Sequence, residues 1–136
     1  MSYGMSAALQ AAVFGALSED AAINAQSGGA VHDALPPGPM PPLYVVLGPE
    51  RVRDASDKTH AGAVHDFSVT VVSQGAGFGA AKALAAAVSD RLSDADLALS
   101  RGRLVALRFL RARAGRRDGA REIELWFRAL VDAETP

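Results

Sequence analysis

The chain has 136 residues, enough for one domain with a real core, and its 49% hydrophobic share is that of a globular protein rather than a disordered one. It contains no cysteine, which excludes a disulfide framework and thiolate metal ligation. The net charge of −1 hides an imbalance: residues 1–99 carry five basic and ten acidic side chains, whereas residues 100–136 carry nine arginines and five acids. Such an asymmetry favours contact with a partner over chemistry.

Residues 5–17 read as a first helix, because Leu9, Val13 and Leu17, with Met5 and Ala16, recur on one face. Ser2 or Ser6 is placed to cap it. The apolar run is short, follows no positive charge and is interrupted by Gln10, so it reads neither as a signal peptide nor as a membrane span. A second helical piece begins at residues 18–20 and ends at Ser27-Gly28-Gly29, and residues 30–35 read as a brief strand. Residues 36–42 hold five prolines, which lack ladder donors, and predict a stiff extended connector. Leu43-Tyr44-Val45-Val46-Leu47 predicts a second strand, stopped by Gly48-Pro49. Residues 48–62 then read as a long charged loop carrying Arg51, Arg53, Asp54, Asp57, Lys58 and His60. A loop of that length in a small domain usually has a job or is mobile.

The stretch 63–92 organises the chain. Phe67, Val69 and Val71 alternate with Asp66, Ser68 and Thr70, which is the period of a half-buried strand. After Gly75-Ala76-Gly77-Phe78-Gly79, a helix is predicted with Ala81, Leu84, Ala85, Val88 and Leu92 on its buried face. Residues 93–101 are a connector with Asp94, Asp96 and Leu97. Residues 102–113 predict a long strand with Leu104, Ala106 and Leu110 on one face and Val105, Leu107 and Phe109 on the other. Residues 114–119 form a basic hairpin turn ending in Asp118-Gly119, a strong hairpin signal. In the return strand, Ile123, Leu125, Phe127, Ala129 and Val131 face one way, and Glu122, Glu124, Trp126, Arg128 and Leu130 the other. These elements make residues 1–136 a single α+β domain, a two-layer sandwich of about five mostly antiparallel strands with two main helices on one face.

Little in this pattern points to catalysis. The glycine turn sits between a strand and a helix, as in a phosphate-cradling dinucleotide site, which leaves a nucleotide- or ligand-binding domain as the alternative function. The sixth-position glycine is lacking, the preceding strand is polar on one face, and no Gly-Lys-Ser/Thr follows, so a sharp turn is the simpler reading. His32, His60 and His65 show no metal-ligand spacing, and no nucleophile–base pair stands out, so no catalytic residue, cofactor or metal is expected. The arginines are more informative. Arg101, Arg103, Arg108, Arg111, Arg113, Arg116, Arg117 and Arg121 surround one hairpin. They suit weak phosphate attraction or pairing with acids of a neighbour. Trp126, between Glu124 and Arg128, is either an interface anchor or a residue covered by the first helix or a loop. Arg51, Arg53, Lys58, Arg111, Arg113, Arg116, Arg117 and Trp126 are thus the candidate contact residues.

The order of these parts carries a resemblance. Pro42-Leu43-Tyr44-Val45-Val46-Leu47-Gly48, a strand ending in Ser73-Gln74-Gly75, an alanine-rich helix, a basic hairpin and the final Phe127-Arg128-Ala129-Leu130-Val131 follow one another across residues 9–131. This layout resembles the small tail-completion, or tail-terminator, proteins of long-tailed bacteriophages and their equivalents in gene transfer agents. The resemblance implies a structural virion protein without catalytic residues, assembled in the bacterial cytoplasm into the neck of a phage-like particle. It implies a homo-hexameric ring that ends the tail tube, meets the major tail tube protein and the head-completion (stopper) protein, and passes DNA through its lumen, with no membrane partner.

Overall fold

In a computed structural model, residues 3–58, 61–75 and 77–133 are described. The elements run α1 (Ser6–Glu19), α2 (Ala21–Ser27), β1 (Val31–His32), β2 (Leu43–Asp54), β3 (Gly62–Ser73), α3 (Gly79–Leu92), β4 (Arg103–Arg117) and β5 (Ala120–Asp132). The strands form one sheet in the order β1-β2-β3-β5-β4, antiparallel throughout except for the short parallel β1. All three helices lie on one face, so the predicted α+β two-layer class holds, with the short α2 as an addition.

Both long helices bury the faces their spacing predicts. Leu9, Val13, Ala16 and Leu17 of α1 and Ala81, Leu84, Ala85, Val88 and Leu92 of α3 are buried against Val69, Val71, Ile123, Leu125 and Phe127. Neither has a side-chain cap: Met5 stands at the N-cap of α1, and the Ser6 hydroxyl donates instead to Glu50 Oε1 at 2.7 Å. Ser2 lies outside the described residues. For α2, Asp20 is the cap, its carboxylate accepting from Ile23 N–H at 3.0 Å.

Three expectations about the strands are corrected. Gly48-Pro49 does not stop β2. Both residues oppose Ser68 as a bulge between Leu47 and Glu50, and the strand continues to Asp54. The charged loop therefore shrinks to the residues between Asp54 and Gly62, because Glu50, Arg51, Val52 and Arg53 all pair with β3; His60 lies outside the described residues. The predicted hairpin turn at 114–119 is likewise strand up to Arg117, and only Asp118 and Gly119, with φ of 51° and 80°, make the turn. Positive φ at both positions is the geometry that matches hairpin twist. β3 itself is more deeply buried than a half-exposed strand. It lies centrally, and even Ser68, on the face away from the helices, is 1% exposed and donates to Pro49 O at 3.0 Å.

The predicted faces of β4 are also wrong in part. Register shifts between Leu104 and Ala106 and between Phe109 and Arg111 leave Val105 and Leu110 as extra residues. Leu104, Leu107, Phe109, Ala112 and Ala114 thus oppose the helix-facing row of β5, and Ala106, Arg108, Arg111 and Arg113 oppose its other row. Leu107 is 2% exposed, so it belongs to the core rather than to a second apolar face.

Candidate functional site on the open face of the sheet

Among the described residues, one end of the sheet face turned away from the helices is covered by an apolar cluster. There Ala30, Tyr44, Val72 and Ala120 form a small apolar cluster, with Met40 of the proline-rich connector packed on it. The rest of the face is largely polar apart from Trp126 and a row of Val64, Leu130 and Ala106, and its composition follows from the bulges. An unbroken β2 would turn Arg51 and Arg53 toward the helices, because side chains alternate strictly along a strand. The extra residue at Gly48-Pro49 keeps Leu47 and Glu50 on the helix side and sends Arg51 and Arg53 to the open side. The bulge at Val105 does the same for Arg108, and that at Leu110 for Arg111 and Arg113.

Cross-strand pairing arranges these side chains in rows. One row reads Arg51–Asp66–Arg128–Arg108, the next Ser68–Trp126–Arg111, and the next Thr70–Glu124–Arg113. Arg128 holds Asp66 with two hydrogen bonds, of 2.8 and 2.9 Å. These bonds keep the Asp66 carboxyl below the usual carboxylate range and raise the Arg128 guanidinium. Trp126 is half-buried, donates from Nε1 to Glu124 at 2.7 Å, and carries the Arg111 guanidinium 5.1 Å above its ring. It faces away from α1, so the first helix does not cover it. Arg51, Arg53, Arg108 and Arg113 are exposed and make no ion pair among the described residues.

Of the candidate contact residues, then, Arg51, Arg53, Arg111, Arg113 and Trp126 share this face. Arg117 lies at its end beside the Asp118-Gly119 turn, Arg116 opposes Arg121 on the helix side, and Lys58 lies in the loop between β2 and β3. Arg116 and Arg117 also line a shallow polar groove with Arg113, Glu122 and Glu124. Arg108 and Arg128 join the face although neither was a candidate. The strict alternation of β5 already placed Arg128 beside Trp126, whereas the bulge at Val105 hid Arg108.

The remaining suspects have structural roles. In the glycine turn, Gly75, Gly77 and Gly79 all lack positive φ. The Gly75 carbonyl accepts from Arg121 Nη1 at 2.7 Å, and the same guanidinium lies 5.5 Å above the Phe78 ring, which ties the turn to β5. His65 is fully buried, 3.9 Å from Glu50, too far for a hydrogen bond, and burial pushes its imidazole below the ordinary value despite the nearby carboxylate. Glu50 accepts instead from the hydroxyls of Tyr3 and Ser6. Among the described residues no group of three His, Asp or Glu side chains is placed to hold a metal, and no helix is long and apolar enough to cross a membrane.

The fold is a two-layer α+β domain whose open sheet face is rich in arginine. The chain belongs to the family described as tail completion protein gp17, which it matches over residues 11–132, and so to the structural proteins of phage tails. Among solved structures it is similar to a chain of the virion of a native gene transfer agent particle, at 59% identity and a TM-score of 0.92, covering 96% of this chain and 99% of that one. No curated protein matches it.

Proposed function

We propose that this protein forms a ring at the head-proximal end of a phage-like tail tube, where it stops tube polymerisation and joins the tail to the head-completion protein. The observation that carries this reading is the 59% identity, over nearly the full length of both chains, to a component of a gene transfer agent virion. In such a ring, built of six copies by the family resemblance, one surface meets the last ring of the major tail tube protein and the other meets the stopper. The arginine face and the tip of the β4–β5 hairpin are the contact surfaces, turned either to phosphates of DNA passing through the lumen or to acids of an adjoining ring. Each exposed charge pair contributes only about 0.2–1 kcal/mol, so the effect depends on repetition around the ring.

Electron microscopy of a deletion strain tests the reading. Loss of the protein is expected to give unjoined heads and tubes of excess, irregular length, restored by the wild-type gene. Joined particles of normal tail length in the deletion strain would overturn it. Complementation with Arg116→Glu/Arg117→Glu is expected to yield folded protein with an unchanged melting curve and the same particle defect. Normal particles from that variant would reduce the hairpin tip to a solvated edge.

A further inference from the structure

The two edges of the sheet differ in a complementary way. α3 packs over the inner strands but does not reach across β4, and a groove of about 310 Å³ runs between them, lined by Lys82, Ala85, Ala86, Phe109, Ile123 and Leu125. Phe109 is 41% exposed there although it sits on the helix-facing side. β4 pairs only with β5, and among the described residues its outer edge takes part in one backbone bond to a loop, from Asp94 N–H to Leu107 O at 2.8 Å. This edge is long, and Val105 and Leu130 add exposed apolar surface beside it. An edge of this kind invites a partner.

A second β4 does not suit it. Arg108, Arg111, Arg113, Arg116 and Arg117 would meet their own copies, and like charges facing across a strand pair repel. The opposite edge of the molecule supplies what β4 lacks. Beyond the two-residue β1, residues 33–39 are exposed throughout and include Asp33, Leu35, Pro36, Pro37 and Pro39. Leu35 is 54% exposed, and apart from Tyr3 it is the large exposed hydrophobe outside the β4 edge. A proline-rich segment is stiff, offers carbonyls to edge N–H groups and suits an apolar, aromatic-lined groove. Asp33 supplies the negative charge that Lys82 and the β4 arginines call for. The strap and the groove sit four strand spacings apart, roughly 19 Å, so they meet only between copies.

We infer that copies of this chain join head to tail, the 33–39 strap of one lying along the β4 edge of the next with Leu35 seated beside Phe109. The contact uses two different surfaces, so it repeats around a closed ring when the rotation closes. It thereby names the joint of the ring proposed above, and it rests on that reading for closure only.

The absence of cysteine makes the test direct. In a Leu35→Cys/Phe109→Cys variant, treated with a short bismaleimide in assembled particles and as purified protein, a ladder of covalent multimers is expected. Mixing the two single variants should give dimers, and each single variant alone should give none. A cross-linked Phe109→Cys homodimer, or monomers only in particles with joined tails of normal length, would overturn the joint and leave the ring reading standing. A ladder in solution, from a protein whose deletion leaves tails normal, would overturn the ring reading and leave the joint. Leu35→Glu and Phe109→Glu should each melt like the parent and lose the multimers; multimers retained by both would also overturn the joint.

Discussion

β3 and β5 run side by side through twelve consecutive residue pairs without an irregularity, while the strands that flank them, β2 and β4, slip register three times. The inner pair presents an unbroken apolar row, Phe67, Val69 and Val71 beside Ile123, Leu125 and Phe127, to the helices. Each outer strand inserts a residue at a point where continued alternation would turn an arginine to the helix-facing side. The inner strands therefore define the fold, and the outer strands adapt to it so that one surface collects the charge. Bulges are the device because one extra residue exchanges the two faces of everything that follows.

This contrast is broken most severely from the inside. Val88 is fully buried on α3, and Val88→Asp places an unpaired carboxylate in the apolar layer, so no cooperative melting transition is expected. Val69→Ala, at an equally buried site, should cost about 1–3 kcal/mol by chemical denaturation. Parental melting of both would mean that the layer they share does not hold the domain together.

Deleting Leu110 tests the outer strands. The deletion removes the extra residue, so Arg111 follows Phe109 in regular alternation, Arg111 and Arg113 keep the open face, and a loss of about 1 kcal/mol or less is expected. Leu110→Ala keeps the bulge and should cost about 1 kcal/mol or less, its side chain being half-buried. A deletion costing several kcal/mol more than the substitution would show that the bulge itself, and not only the faces it sets, holds the strand in place.

The smallest effect concerns His65, the buried ionisable side chain on the helix-facing row of β3. His65 is held neutral by burial, so below its ordinary value of about 6.5 the unfolded chain binds a proton that the folded one refuses. Stability is therefore complete at neutral pH and falls as pH drops below about 6.5, until the lowered folded value is passed. His65→Gln should flatten the melting temperature between pH 7 and 5; an unchanged slope would assign the loss to other groups.

How far the sequence could be read depended on whether its pattern was periodic. The helix faces of α1 and α3, the alternation of β3 and β5, and the Asp118-Gly119 turn were all legible, because local sterics and one-sided burial leave the same signature in any context. The candidate contact residues were legible by type but not fully by place. Arg128 and Trp126 fell on the correct face because β5 is regular, whereas Arg108 and the continuation of β2 through Arg51 and Arg53 did not emerge.

The amino-acid order thus determined the periodic elements, the lack of thiol chemistry and the concentration of arginine in the last third of the chain. Tertiary structure alone decided where that charge lies. Gly48-Pro49 reads locally as a stop, and nothing local marks Val105 or Leu110 as an extra residue. Whether such a residue ends a strand or bulges depends on the pairing energy of the strand beside it. Here β3 and β5 form regular templates against which β2 and β4 slip, and each slip turns an arginine away from the helix-facing side.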